Sequence, residues 1–290
     1  MEKKTLFYIL LAFLGSSFVG LAPLFVRCSG IGPVGAGFYR ICLSLPFLFL
    51  WMKRGKRVEL LGRDWVKLAL YGGLFALDLS LWNLSLSYTS VANASLFNNF
   101  AAFVVPLLLF IFYKELPTSR YLQGGVLALL GSFLLMKGSL NFSISSLFGD
   151  SLALLSAVAY GGYLIIIKEL RSKLSSGHIL FFGGIFALAA LFTIAIVKGE
   201  SLRIATTREF FLLFAFALFA QLLGQGLIAY SMGRLSSKVV GLVLLTQPIV
   251  STLLAYFLLG ESVALSALFG GALILTSLFW AQERKGLDTA

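Results

Sequence analysis

The chain has 290 residues, of which 59% are hydrophobic and only 12% charged, and its mean hydropathy is +0.95. A soluble domain carries roughly a quarter charged residues, so this composition belongs in lipid. The net charge of +11 comes from basic residues spread through short connectors, which excludes the continuous basic face that nucleic-acid binding needs.

A helix crossing a hydrocarbon core of about 30 Å needs roughly 20 apolar residues. Ten segments qualify and are predicted as helices 1 to 10: 5–26, 33–52, 65–86, 91–113, 118–137, 149–168, 178–197, 209–231, 237–259 and 263–281. The opening Met1-Glu2-Lys3-Lys4 resembles the start of a signal peptide, but the apolar run reaches Pro23 to Arg27 without a small-residue cleavage site, and it is read as a retained first helix. The joints carry Gly, Ser, Asn, Pro and charge, which are turn and cap signals. Ala12, Ser16 and Gly20 form a small-residue seam in helix 1, and Ala153, Ala157 and Gly161 form one in helix 6; that spacing lets helices approach closely in lipid. Pro46, Pro106 and Pro248 fall inside spans, where a missing N–H and a ring clash produce a kink.

The chain also reads as one five-helix sentence written twice. Shifted by 146 positions, Gly15 falls on Gly161, Leu81 on Leu227, Ser85 on Ser231, Ser90 on Ser236 and Leu96 on Leu242. Leu107-Leu108 meet Leu253-Leu254, Glu115 meets Glu261, and Gly124-Gly125 meet Gly270-Gly271. The expected units are residues 1–140 and 147–290. Five crossings are odd, so the second unit enters the bilayer inverted, as in many secondary transporters. If the N-terminus is cytoplasmic, the inner connectors and helix ends hold 17 Lys and Arg against 5 outside, with Arg40 left inside helix 2. Both termini are therefore expected on the cytoplasmic side, in a cell membrane of the bacterial inner-membrane type.

The stretch Gln247-Pro248-Ile249-Val250-Ser251-Thr252-Leu253-Leu254-Ala255-Tyr256-Phe257-Leu258-Leu259-Gly260-Glu261, followed by Gly270-Gly271, resembles the signature of EamA-type transporters of the drug/metabolite transporter superfamily. The first unit matches in Glu115 and Gly124-Gly125, but Ala102 stands at the proline position and Pro106 follows one turn later. The resemblance implies ten helices around a central cavity, with helices 1–4 and 6–9 lining it and helices 5 and 10 at the periphery. It implies transport of amino acids, nucleoside-like metabolites, vitamins or drugs, and Arg40 as family scaffold.

Charge at the bilayer centre is costly, by about 3 to above 10 kcal/mol, and only Asp78 and Arg40 lie well inside a span. At a 1.5 Å rise per residue, Arg40 sits about 10 Å and Asp78 roughly 12 Å below the outer face. That common depth suggests a pair, either a salt bridge pinning helices 2 and 3 or part of a binding site. Asp78, Trp82 and Ser85 share one face of helix 3 by their spacing, with Trp82 also readable as an interfacial belt residue. Asn98 and Asn99 lie at a similar depth in helix 4; such amides either hold helices together or bind a polar solute. In the second unit Gln221 and Gln225 share a face of helix 8, and Gln225 and Gln247 come about 10 to 12 Å from the cytoplasmic face. One polar cluster toward each side is thus expected. Glu115 and Glu261 are read as loop anchors.

These features point to a secondary transporter for a small polar or amphipathic metabolite, with drug or metabolite efflux driven by proton exchange through Asp78 as the alternative. No Gly-x-x-x-x-Gly-Lys-Ser/Thr loop occurs, so ATP hydrolysis is excluded, and no cofactor is expected. Cys28, Cys42 and the single histidine, His178, have no metal or disulfide spacing. A lone histidine and one deep carboxylate argue against a membrane-embedded enzyme. A channel would build a ring of like groups. The expected partners are a small-molecule substrate and membrane lipid, with a homodimer through helices 5 and 10 as a candidate assembly.

Overall fold

A computed structural model describes residues 3–55, 58–137, 143–250 and 265–280. Among these residues the chain is helical and contains no strand. Helix 1 runs Lys3–Val19 and resumes as Ala22–Cys28, and helix 2 runs Pro33–Cys42 and resumes as Leu45–Lys53. Helix 3 is Gly62–Ser85, helix 4 is Val91–Asn98 followed by Ala101–Tyr113, and helix 5 is Ser119–Met136. Helix 6 is Leu147–Leu170, and helix 7 is Ser176–Val197. Helix 8 joins Thr207–Phe216 to Gly226–Ser231 through a π-helical stretch, Ala217–Gln225. Helix 9 starts as Ser237–Leu244 and resumes over 247–250, and helix 10 is Leu265–Trp280. Helices 1, 2, 4, 6, 7 and 8 are each long and apolar enough to cross a membrane. The rest of the signature, 251–261 with Glu261, lies outside the described residues.

Local chemistry sets the ends. Ser90, Thr118, Ser175, Thr206 and Ser236 each accept a backbone N–H from the third residue of the following helix, worth about 1 kcal/mol apiece. Ser90 and Ser236 are a pair under the 146-residue shift. Helix 2 has no such cap of its own; the Glu200 carboxylate, from the connector before helix 8, accepts from the Val34 and Gly35 amides at 3.0 and 2.9 Å. A carboxylate at a helix N-terminus is also favoured by the helix dipole.

Among the described residues each predicted span is represented by helix, and four of them are broken. In helices 1, 2 and 9 the first segment ends at Val19, Cys42 and Leu244, each four residues before a proline, Pro23, Pro46 and Pro248. Proline has no N–H for the carbonyl four residues back, and its ring clashes there. Helix 4 corrects the expectation of a kink set at Pro106, because its break is at Asn99 and Phe100. These positions match Leu245 and Thr246 of helix 9 under the shift, although Ala102 replaces the proline. Helix 5 supplies what the missing proline would: Asn99 Nδ2 donates to Ser132 Oγ at 3.2 Å. The Tyr121 hydroxyl donates to the Ala102 carbonyl at 2.6 Å, the carbonyl that Pro106 leaves without its N–H.

Packing obeys the duplication. Helix 3 lies on helix 6 as helix 8 lies on helix 1, and helix 4 lies on helix 6 as helix 9 lies on helix 1. Helices 2 and 7, 4 and 9, and 5 and 10 contact their own counterparts. Trp280 Nε1, at the end of helix 10, donates to Gln123 Oε1 near the start of helix 5 at 3.0 Å. Gly131, late in helix 5, meets Gly270 early in helix 10 so closely that a Cβ on Gly131 would fall 2.7 Å from the Gly270 carbonyl oxygen. Equivalent helices that run antiparallel are related by a two-fold axis, not a translation, so the two halves are inverted. Leu6, Phe7 and Leu10 of helix 1 and Phe110 to Phe112 of helix 4 face outward, whereas Arg40, Asp78, Asn98 and Gln221 are buried. That arrangement, apolar outside and polar within, suits a lipid solvent.

Tyr121→Phe should orphan the Ala102 carbonyl and lower stability by about 1–3 kcal/mol. Pro106→Ala returns a backbone N–H to that carbonyl, so thermal unfolding in detergent should show the pair less destabilised than the sum of the single changes.

Candidate functional site

The helix interruptions converge on one cavity. Its wall includes Gly20, Ala22 and Pro23 at the break in helix 1, Arg40 just before that in helix 2, and Asn98 just before that in helix 4. Gln247 begins the second segment of helix 9, and Gln225 ends the π-helical stretch of helix 8. Asp78, Leu79 and Trp82 come from helix 3, Ser95 from helix 4, and Tyr160 and Tyr163 from helix 6. Among the described residues none of the lining comes from helices 5, 7 or 10; the resemblance implies this for helices 5 and 10 but places helix 7 at the cavity. The room for water-sized occupants is about 40 Å³, space for roughly three waters at 10–15 Å³ each. A metabolite would need the helices to part.

Arg40 is 2% exposed. It lies in the last turn of Pro33–Cys42, where the helix dipole favours a cation. Its Nε donates to Gln221 Oε1 at 3.1 Å and a terminal nitrogen donates to the Ala220 carbonyl at 3.3 Å. The guanidinium carbon stands 5.7 Å from the Phe75 ring centre and 5.3 Å from that of Phe216, within cation–π range. Asp78 is 7% exposed, and its Oδ1 accepts from Ser156 Oγ at 2.7 Å. Ser156 in turn accepts from Asn98 Nδ2 at 2.7 Å. The expected Arg40–Asp78 pair is corrected: among the described residues no ion pair joins them. Each charge is held by neutral groups on another helix, and both border the cavity.

The expected pair of clusters, one toward each face, is also corrected. Arg40, Asp78, Trp82 and Asn98 of the first unit share one cavity with Gln225 and Gln247 of the second. Depths of about 12 Å from opposite faces of a core of about 30 Å leave only a side chain's reach between them. Gln221 stands behind the wall as the partner of Arg40. Asn99 turns away to Ser132, so the adjacent amides divide: Asn98 serves the cavity and Asn99 the scaffold. Ser85 is buried and donates to the Trp82 carbonyl at 2.7 Å, apart from the cavity face that Asp78 and Trp82 share. Glu115 forms an ion pair with Lys238 at 3.4 Å, an anchor to the start of helix 9.

Helix 6 carries the residues that sequence reasoning missed. Gln225 Nε2 donates to the Tyr163 hydroxyl at 3.1 Å, while the buried Tyr160 hydroxyl lies beside the Tyr163 hydroxyl and the Gln247 amide without a well-formed hydrogen bond to either. Buried polar atoms are nearly always paired, so this loosely joined group in a cavity wall is a place that water or a solute can enter. The signal was present: Ser156, Tyr160 and Tyr163 recur at four and three residues, one face of an otherwise apolar span.

The EamA-like transporter family model matches the chain twice, over residues 6–137 and 147–281. An uncharacterized transporter of Archaeoglobus fulgidus is 25% identical over 269 residues, covering 88% of this chain and 89% of the relative. Another, of Clostridium kluyveri, is 26% identical over 246 residues, covering 80% and 78%. A protein of known crystal structure superposes with a TM-score of 0.77 at 18% identity, covering 95% of this chain and 96% of that one, a likeness of fold. The chain is a multi-pass membrane protein and belongs to the EamA-like transporter family.

Proposed function

We propose that the protein is a secondary transporter that moves a small polar or amphipathic metabolite by alternating access, and that the solute is an amino-acid-like zwitterion. The observation carrying this reading is that Arg40 and Asp78, opposite charges buried in one cavity, are each held by neutral groups and not by each other. A buried charge kept from direct contact with its opposite costs several kcal/mol, and an ion pair would relieve it more simply. A solute with a carboxylate for Arg40 and an ammonium for Asp78 relieves both. The loosely held Tyr160 hydroxyl and Gln247 amide offer further hydrogen bonds, and Trp82 and Tyr163 supply apolar walls. Helices interrupted at midplane, with their ends turned to the site, are a recurrent transporter arrangement. The excess of basic residues in one set of connectors supports cytoplasmic termini.

The reading is tested with purified protein in liposomes, following uptake of a neutral amino acid, its amide and its deaminated acid. Uptake should favour the zwitterion. Asp78→Asn should weaken the amino acid by about 10–150-fold, the effect of one charge-assisted hydrogen bond of 1.5–3 kcal/mol, and spare the deaminated acid. Arg40→Gln should do the reverse and spare the amide. Unchanged flux of the amino acid in both variants, with normal folding, would remove these charges from the site.

Efflux driven by proton exchange is the second reading, favoured by Asp78 being the one carboxylate in the cavity wall among the described residues. In that case Asp78→Asn should abolish accumulation driven by an imposed pH gradient while exchange of solute for solute persists.

A further inference from the structure

Asp150, in the first turn of helix 6, has no part in the cavity wall yet is 5% exposed. Its Oδ1 accepts from Thr89 Oγ1 at 2.6 Å and from Asn93 Nδ2 at 3.0 Å. Its Oδ2 accepts from the same Asn93 nitrogen at 3.2 Å and from Ser146 Oγ at 3.5 Å. Among the described residues no cation pairs with it. Thr89 belongs to the corner joining helices 3 and 4, and Asn93 to the first turn of helix 4. No side chain separates that corner from helix 6 at this level: a Cβ on Gly149 would fall 2.9 Å from the Thr89 amide nitrogen.

A second polar layer lies below the first. Ser156 is six residues along helix 6 from Asp150, and Asn98 is five along helix 4 from Asn93, or roughly 9 and 8 Å. There the Asn98–Ser156–Asp78 relay joins helices 4, 6 and 3 again, at the edge of the cavity. The Asp150 layer therefore lies between the cavity and the face at which helices 3 and 4 meet.

We infer that Asp150, with Thr89 and Asn93, is the latch of a gate that closes the cavity toward that face. The inference rests on the carrier reading above. Two features separate a gate from a plain staple. Elements of the shared scaffold recur under the 146-residue shift, as Ser90 and Ser236 do, but Thr89, Asn93 and Asp150 correspond to Leu235, Val239 and Lys4. The device is not repeated at the equivalent positions, as befits a part that tells the faces apart. It is also built of neutral donors on a carboxylate, all of which water can replace once the corner swings away, so opening strands no buried charge. The coupling to the site is direct: an ammonium group on Asp78 competes for the oxygen that Ser156 now bonds, and release of Ser156 frees Asn98 in the helix that carries Asn93.

The test uses full-length protein in liposomes with Cys28→Ser and Cys42→Ala removing the natural thiols, and Ser95→Cys placing a reporter in the cavity wall. A membrane-impermeant maleimide is added from one side at a time. In separate protein keeping Cys28, which is exposed at the end of helix 1, labelling identifies the face of the helix 3–4 corner. Asp150→Ala should speed labelling of the reporter from that face by about tenfold and leave the opposite face unchanged or slower. Thr89→Val, which removes one donor and keeps the carboxylate paired with Asn93, should give a smaller one-sided increase, and it stands in if the alanine variant does not fold. Equal acceleration from both faces, or none, would overturn the gate. If the wild type still shows saturable flux, that result leaves the carrier intact; one-sided labelling without any saturable flux would instead uphold the gate and sink the carrier.

Discussion

Hydrocarbon offers no hydrogen bonds, so every polar group inside this protein must be met by another part of the chain, by trapped water or by a solute. That constraint explains the architecture. Proline or its substitute interrupts helices 1, 2, 4 and 9, and a π-helical stretch widens helix 8. Each interruption exposes backbone that lipid would reject, and at two of them a side chain of a neighbouring helix completes it. Arg40 takes the Ala220 carbonyl within the widened turn, and Tyr121 takes the carbonyl freed by Pro106. The cavity is one place where the completion stops short, since the Tyr160 hydroxyl and Gln247 amide there are only loosely joined.

The two halves share a scaffold but not a site. Under the 146-residue shift Arg40 corresponds to Phe186, Asp78 to Gly224, and Asn98 to Leu244. Gln225 corresponds to Leu79, Gln247 to Ala101, and Tyr160 to Leu14. Caps, breaks and helix pairings recur, whereas the cavity's charges and amides each occur once. Duplication thus supplies a two-fold frame able to open on either side, and divergence within it supplies a single asymmetric site. This asymmetry favours a solute with different groups at its two ends.

The fold of inverted helical repeats, and the cavity residues Arg40, Asp78, Trp82, Asn98, Gln225 and Gln247, were legible in the sequence because hydropathy, the repeat and buried charge are one-dimensional signals. What the residues do with one another was not. Equal depth suggested that Arg40 and Asp78 pair, but depth ignores azimuth, and each turns to a different helix of the second unit, Arg40 to Gln221 of helix 8 and Asp78 to Ser156 of helix 6. Counting inward from opposite faces split one central layer into two. Asn98 and Asn99 looked equivalent, yet the break between helical segments sends them to opposite sides. Helix 6 was read as a packing seam and, from the resemblance, as part of the cavity wall, but none of its side chains stood out, since tyrosines score as apolar although Tyr160 and Tyr163 line the cavity.

The account stands or falls on whether one site is presented to one side at a time. Uptake of a labelled neutral amino acid into liposomes preloaded with unlabelled solute measures this directly. A carrier of the kind described saturates with external solute and runs faster when solute is present inside. Flux that rises linearly with concentration and ignores the opposite side would contradict it.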